Sequence, residues 1–219
     1  KLSTGGGLTV ADYFEMDSEL AENGHDVDLG SGGVLVLPDM TDSSNSVQHL
    51  AVGGGKDGNL YLVSRERMGG FTSGANQVYQ ELDGVLPGGI YSAPAYYNNL
   101  LYYGPVGEPI LAFRFSQAVL STSPVAQTTN SFGYPGATPS ISANQSTNGI
   151  LWAAENTRQA VLHAYDATTL RELYNSTQAS GFRDQFGYGN KFITPTIANG
   201  KVYVGTTAGV AVFGLLIAP

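Results

Sequence analysis

One strand pattern returns four times along the chain at a nearly constant spacing. Each copy ends in a small residue, and these final residues stand 51, 50 and 51 positions apart. The copies are His49-Leu-Ala-Val-Gly53, Leu100-Leu-Tyr-Tyr-Gly104, Ile150-Leu-Trp-Ala-Ala154 and Lys201-Val-Tyr-Val-Gly205. A recurrence of this length indicates supersecondary units that must stack on one another, because a single unit cannot bury its own apolar face.

Every copy is followed by a turn and a second strand pattern. The second patterns begin at Leu60, Ile110, Val161 and Val210. The dipeptides Asn98-Asn99 and Asn199-Gly200 are signals for two-residue hairpins, because Asn and Gly tolerate a positive φ. Four short strands per repeat describe one blade of a β-propeller, whereas a solenoid, the alternative, usually has a shorter period. The sequence therefore predicts an all-β propeller of four-stranded antiparallel blades, with about four blades in one domain spanning residues 1–219.

Composition agrees with this fold and excludes some partners. Charged residues make up 13% of the chain, about half the usual share of roughly 25%. The net charge is −8 and no run of Lys or Arg occurs, so we do not expect duplex nucleic acid or anionic membrane surfaces as partners. No apolar stretch approaches the 18 or so residues that a membrane span needs, so we expect none.

The two ends of the chain raise the question of how the ring of blades closes. The last repeat stops after its third strand, around Val210–Leu216, and Leu8–Phe14 is a lone strand candidate near the start. This lone strand could complete the last blade and interlock the two ends, which would remove exposed sheet edges. Alternatively, it finishes an earlier blade that lies upstream of Lys1.

Several segments resemble PQQ-like (quinoprotein-like) β-propellers. Val161-Leu-His-Ala-Tyr-Asp-Ala-Thr-Thr-Leu170 is similar to that family's blade signature, in which an Ala-x-Asp-x-x-Thr turn follows a strand. Gly187–Thr207 resembles the family's last blade, and Asp28–Gly33, Val52–Lys56 and Phe132–Pro139 resemble earlier ones. The resemblance covers nearly the whole chain and is most specific in its last third. Ser64–Met68 and Phe115–Ala118 replace the turn signature in the first two repeats.

The resemblance implies a larger, exported protein. Members of this family usually have seven or eight blades and are secreted or periplasmic, so we expect this chain to be the C-terminal part of a larger propeller. Related quinone-dependent dehydrogenases have an Asp base, a Ca²⁺ ion, a Trp beneath the quinone and, in many cases, an adjacent pair of Cys residues. This chain has no Cys, and its only Trp, Trp152, takes the strand position of Tyr102 and Tyr203. We therefore expect Trp152 to pack between blades and no cofactor to bind within this chain.

Two acidic residues are the metal-binding candidates. Asp26 and Asp28 end an insertion rich in Asp and Glu, and such a loop can supply the oxygen ligands that Ca²⁺ prefers. The spacing does not match an EF-hand. A solvated acidic loop is the alternative interpretation. For His163, on a repeat strand, we expect a structural role in which its ring nitrogens have hydrogen-bond partners.

Loop residues are the remaining candidates. Arg183 and Asp184 lie in a polar loop before the last repeat, and binding residues are enriched on loops held by a rigid scaffold. Tyr134 and Tyr188, in Gly-rich loops, could stack on a sugar. Asn144 and Asn175 begin sequons that would be glycosylated in a secreted eukaryotic protein.

Together these features favour a non-catalytic, secreted binding or assembly scaffold. Its partner would be a protein or a glycan, and both self-association and association with upstream blades are consistent with the repeats. The alternatives are the C-terminal part of a quinoprotein dehydrogenase whose active site lies upstream, and a carbohydrate-binding propeller.

Overall fold

The computed structural model describes residues 1–216, which form short antiparallel strands arranged in successive sheets. The chain begins with a small hairpin, β1 (Leu2–Ser3) and β2 (Thr9–Val10), and one short helix, α1 (Glu19–Asn23). A 3₁₀ turn at Leu29–Ser31 then leads into the first blade. None of the helices in these residues is long and apolar enough to cross a membrane.

Blade 1 is a four-stranded antiparallel sheet with a small hairpin attached. Its strands in sheet order are β3, β6, β7 and β8, and β4 pairs with β5 in the separate hairpin. The bounds are β3 (Leu35–Val36), β4 (Met40–Thr41), β5 (Val47–Gln48), β6 (Leu50–Gly54), β7 (Leu60–Ser64) and β8 (Gln80–Leu82).

Blades 2 and 3 repeat this order of strands from the inside outwards. Blade 2 contains β9 (Ala95–Tyr97), β10 (Leu100–Tyr103), β11 (Leu111–Ser116), β12 (Val119–Leu120) and β13 (Ala126–Gln127). Both β12 and β13 pair with β11, at different points along it. Blade 3 contains β14 (Ser140–Asn144), β15 (Thr147–Glu155), β16 (Val161–Asp166) and β17 (Glu172–Asn175).

Blade 4 has three strands in the described part of the chain. They are β18 (Thr196–Ala198), β19 (Lys201–Gly205) and β20 (Val210–Gly214), in that order across the sheet. A 3₁₀ turn at Ser180–Phe182 lies in the long connection from blade 3. Residues 217–219 lie outside the described residues.

The hairpins form where the sequence predicts them. Asn98 and Asn99 have φ values of 47° and 61° between β9 and β10, and Asn199 and Gly200 have values of 50° and 69° between β18 and β19. Two successive positive φ angles are the requirement of the hairpin turn that matches strand twist. The two predicted hairpins are therefore confirmed.

Alternation of side chains along each strand lets one blade pack against two neighbours. In β10, Leu101 and Tyr103 face blade 1, whereas Leu100 and Tyr102 face blade 3. Successive side chains of a strand point to opposite faces, so an apolar run such as Leu100–Tyr103 can serve two cores at once. Apolar cores lie between blades 1 and 2, 2 and 3, and 3 and 4. The prediction of stacked β-propeller blades is confirmed.

The N-terminal segment covers the outer face of blade 1. Phe14 and Met16 pack on Tyr61 and Val63, and the ring centroids of Phe14 and Tyr61 are 5.3 Å apart. The backbone N–H of Gly70 donates to the carbonyl of Tyr13 over 2.8 Å. We call residues 14–29 the N-terminal cap.

The interlock with the last blade, one of the two interpretations of Leu8–Phe14, is therefore not observed, and completion of a blade upstream of Lys1 stays a prediction. Leu8–Phe14 contributes only β2 and an isolated parallel bridge from Phe14 to Gly70, and both lie away from blade 4. The segment follows blade 1 because the face that carries Tyr61 offers Phe14 and Met16 an apolar surface.

Removing the Met16 side chain tests the cap. Met16 is 6% exposed and Leu20 is 81% exposed. We expect Met16→Ala to lower the free energy of unfolding by about 2–4 kcal/mol, because a buried Met leaves a cavity. Leu20→Ala should change it by less than about 0.5 kcal/mol. Urea titration measures both, and equal effects would show that the cap does not hold Met16 in a core.

Two neighbouring tyrosines should respond oppositely to loss of their hydroxyl groups. The Tyr102 hydroxyl donates to the carbonyl of Ala167 in blade 3 over 2.5 Å, whereas the buried Tyr103 hydroxyl has no hydrogen-bond partner among the described residues. Tyr102→Phe should destabilise the fold by about 1 kcal/mol, and Tyr103→Phe should be neutral or stabilising. Thermal unfolding of both variants is the measurement. A larger loss for Tyr103→Phe would show that the Tyr103 hydroxyl, rather than that of Tyr102, makes the stabilising hydrogen bond.

Candidate functional site

A groove of about 720 Å³ lies between blades 3 and 4. It exists because β17 is the fourth strand of blade 3, while blade 4 ends at β20 in the described part of the chain. The wall of blade 3 therefore extends further outwards than the sheet it faces. This difference leaves apolar side chains of both blades open to solvent.

Aromatic and aliphatic side chains line the groove. Trp152 on β15 and Leu173 on β17 form the side of blade 3, and Phe213 on β20 forms the side of blade 4. Phe186, from the connection between the blades, packs edge-on against Phe213 with a centroid distance of 5.2 Å. Trp152 also donates from Nε1 to the Ser142 hydroxyl over 2.8 Å, which fixes its ring. A concave apolar surface with few polar groups is the usual form of a ligand site.

Tyr174, Arg183 and Asp184 form a polar rim. Arg183 Nε and Nη2 donate to the Asp184 carboxylate over 2.7 and 3.0 Å, and the Tyr174 hydroxyl donates to it over 2.6 Å. These hydrogen bonds, with that of Arg183 the strongest, lower the pKa of Asp184 to about 2. Asp184 is thus ionised and satisfied, while the Arg183 side chain remains 57% exposed.

The four predicted loop residues occupy two different places. Arg183 and Asp184 line the groove. Tyr134 lies in an aromatic patch with Tyr91 and Phe192, at centroid distances of 5.3 and 6.3 Å. The Lys191 ammonium lies 4.7 Å from the centre of the Tyr134 ring. Tyr188 is 61% exposed and lies four residues before Phe192 in the sequence.

The two predicted metal ligands, Asp26 and Asp28, both form ion pairs with Lys56. Lys56 Nζ lies 2.8 Å from carboxylate oxygens of both Asp26 and Asp28. Among residues 1–216, no group of three or more His, Cys, Asp and Glu side chains has a metal-binding arrangement. A Ca²⁺ ion would have to displace the ammonium, and its binding at Asp26 and Asp28 stays a prediction.

The two sequon residues differ in their surroundings. Asn144 ends β14 at an exposed hairpin. Asn175 donates from Nδ2 to Glu172 over 3.0 Å and accepts a hydrogen bond from the Thr177 hydroxyl. A glycan on Asn175 would replace a hydrogen of that amide, whereas Asn144 is free of this constraint. Glycosylation of either stays a prediction.

His163 sits in a buried ionic network of blade 3. Its Nε2 lies 2.9 Å from Glu155 and its Nδ1 lies 2.6 Å from Glu172, and its ring stacks on Tyr165. Burial alone would lower the pKa of His163, but hydrogen bonds to Glu155 and Glu172 outweigh it and raise the pKa above its usual value. Both ring nitrogens have partners, so His163 is a satisfied strand histidine.

This network predicts a dependence of stability on pH. A raised pKa in the folded state means that His163 stabilises the fold fully below its unfolded pKa of about 6.5. That contribution is lost as the pH rises through the folded-state value. Wild-type protein should therefore lose more free energy of unfolding than His163→Gln between pH 6 and pH 9, measured by urea titration. If the free energy of unfolding changed equally with pH in the two proteins, the ion-pair network would be refuted.

Most of the residues that line the groove cannot be identified from the sequence. Trp152 was expected to pack between blades, and it does pack on the core of blades 3 and 4, but it also lines the open groove. Leu173, Phe186 and Phe213 were not singled out. The available signal was the missing fourth strand of the last repeat, because a missing strand uncovers the wall of the neighbouring blade.

Comparison with known proteins gives no family assignment. No known protein family and no curated protein sequence matches the chain. Solved structures similar to it include the computationally designed Ika4 protein, at 14% identity over 76% of this chain and 85% of that one, with a TM-score of 0.47.

Two natural proteins are also similar. BamB from Moraxella catarrhalis is 16% identical over 84% of this chain and 46% of its own, with a TM-score of 0.49. The WD40 β-propeller domain of Doa1 is 12% identical over 82% of this chain and 51% of its own, with a TM-score of 0.49. The chain thus spans about half the length of these two structures.

Proposed function

We propose that this chain is a non-catalytic β-propeller that acts as a binding or assembly scaffold and takes a polypeptide ligand in the groove between blades 3 and 4. The observation that carries the proposal is the groove itself. It is lined by Trp152, Leu173 and Phe213 and bordered by the exposed guanidinium of Arg183. Aromatic residues and Arg are the side chains that contribute most to protein-binding surfaces.

The resemblance to PQQ-like propellers supports an exported scaffold rather than an intracellular one. The turn of blade 3 that carries this resemblance is closed by hydrogen bonds to a side chain. The Asp166 carboxylate accepts hydrogen bonds from the backbone N–H groups of Thr168 and Thr169 and from the Thr169 hydroxyl. The secreted or periplasmic location is part of the proposal and rests on this resemblance alone.

A glycan ligand is the competing proposal. The patch of Tyr91, Tyr134 and Phe192 would carry it, because exposed aromatic rings stack on sugars. One face of the Tyr134 ring already has Lys191 over it, so the patch offers less free aromatic surface than the groove. We therefore favour the groove.

Selection from a random peptide library tests the proposal. Peptides enriched on the immobilised chain should bind the soluble protein, and Leu173→Asp should weaken that binding at least about tenfold, because it places a charge in the apolar wall. Leu20→Asp, at an exposed position of α1, is the matched control and should have no effect. Fluorescence anisotropy with a labelled peptide measures both.

Two results would contradict the proposal that the groove binds a polypeptide. One is a library from which no peptide is enriched, and the other is equal binding by Leu173→Asp and wild type. A glycan array run in parallel separates the competing proposal. Glycan binding that is lost in Tyr134→Ala and kept in Leu173→Asp would assign the function to the aromatic patch.

A further inference from the structure

The outer edge of blade 4 has unused backbone hydrogen-bonding groups. β20 pairs only with β19 among the described strands. The Thr206 N–H donates to the carbonyl of Gly209 over 2.8 Å at the connecting turn. Hydrogen-bonded and non-hydrogen-bonded pairs alternate along an antiparallel ladder. The backbone N–H and C=O groups of Ala211 and Phe213 therefore form the hydrogen bonds to β19. The N–H and C=O groups of Val210, Val212 and Gly214 point away from the sheet.

In the other three blades a fourth strand occupies the corresponding position. β8 pairs with β7, β13 pairs with β11, and β17 pairs with β16, in each case antiparallel. The groove begins at β20 and extends to the wall of blade 3, so it lies where the fourth strand of blade 4 would run. The repeat therefore defines both the place and the direction of a fourth strand, which the described residues do not supply.

The sequence of β20 lacks the features that protect natural sheet edges. Exposed edges usually carry charged residues, Pro or a bulge, which prevent pairing with other chains. The outer strands β8 (Gln80-Glu-Leu82) and β17 (Glu172-Leu-Tyr-Asn175) each contain a Glu. β20 reads Val210-Ala-Val-Phe-Gly214, with no charge, no Pro and continuous pairing to β19. This edge is suited to accept a strand.

The shape of the groove favours a single strand over a second copy of the chain. Two copies of β20 paired edge to edge would be related by a twofold axis perpendicular to the sheet. The faces that carry Ala211 and Phe213 would then lie on the same side, and each is already covered by its own blade 3. The two copies of blade 3 would collide over the groove. A segment one strand thick avoids this clash.

Charge defines one end of the ligand. Lys201 is the cross-strand partner of Gly214, and its Cγ lies 3.4 Å from the position that a Cβ on Gly214 would take. Because Gly214 has no side chain, the Lys201 ammonium can extend across it towards the open edge. A carboxylate opposite Gly214 would be within its reach, which favours an acidic residue there.

We infer that β20 binds an extended segment of a partner polypeptide as the fourth, antiparallel strand of blade 4. This inference rests on the proposed function and specifies the ligand. The segment is about five residues long, the length of β20. Its alternate side chains are apolar and fill the groove beside Phe213, and an acidic residue lies opposite Gly214. Backbone hydrogen bonds supply affinity and the alternate side chains supply specificity.

The test uses the labelled peptide selected on the wild-type chain. Val212→Pro removes an outward N–H and leaves the ladder to β19 intact, because Pro is tolerated where the N–H faces solvent. Val212→Thr keeps the N–H at nearly the same volume and is the matched control. We expect Val212→Pro to weaken binding at least about tenfold and Val212→Thr by no more than about twofold.

A second measurement does not depend on the variant folding. Peptides N-methylated at one position each should lose binding at every second residue, since only alternate amides face β20. Uniform losses, or none, would overturn strand addition. Sedimentation of the chain alone tests whether a second copy of the chain binds this edge. A wild-type dimer that Val212→Pro converts to a monomer would show that it does, and would overturn the inference.

The two proposals fail in different ways. If Leu173→Asp abolishes peptide binding while Val212→Pro and all N-methylated peptides bind normally, the groove binds polypeptides without adding a strand. The proposed function then stands and this inference falls. If Leu173→Asp also leaves binding unchanged, both fall.

Discussion

The structure depends on one constraint: every blade has two apolar faces, and each face must be covered. Strand alternation creates the two faces, because neighbouring residues such as Leu101 and Tyr102 point to opposite sides. Inside the stack the neighbouring blades cover both faces. At its two ends no neighbouring blade lies among the described residues.

Among the described residues, only the end at blade 1 has its outer face covered. At blade 1 the N-terminal cap places Met16 and Phe14 over Tyr61. At blade 4, Val210 and Val212 remain 65% and 53% exposed on the outer face. The acid-rich insertion is therefore a covering segment, and the uncovered groove and edge lie at the opposite end.

How much the sequence predicts depends on the range of each interaction. Asn98-Asn99 specifies its hairpin locally, and the 51-residue spacing specifies the blades, so both were predicted. The contact between Met16 and Tyr61 joins residues 45 positions apart, and no periodic signal marks it. Likewise, the ion pairs of Lys56 with Asp26 and Asp28 join residues 30 and 28 positions apart, and no sequence pattern marks them. The short last repeat is the sequence feature related to the groove, but the lining depends on the path of the loop that carries Phe186.

The N-terminal cap also limits how copies of the chain can assemble. A head-to-tail stack would place blade 4 of one copy on blade 1 of the next, and such heterologous contacts build open filaments when they do not close. Met16 and Leu29 already occupy the outer face of blade 1, so the cap must leave before another blade can stack there. Stacking therefore competes with a formed apolar core, whereas a strand added to β20 displaces nothing in the described chain.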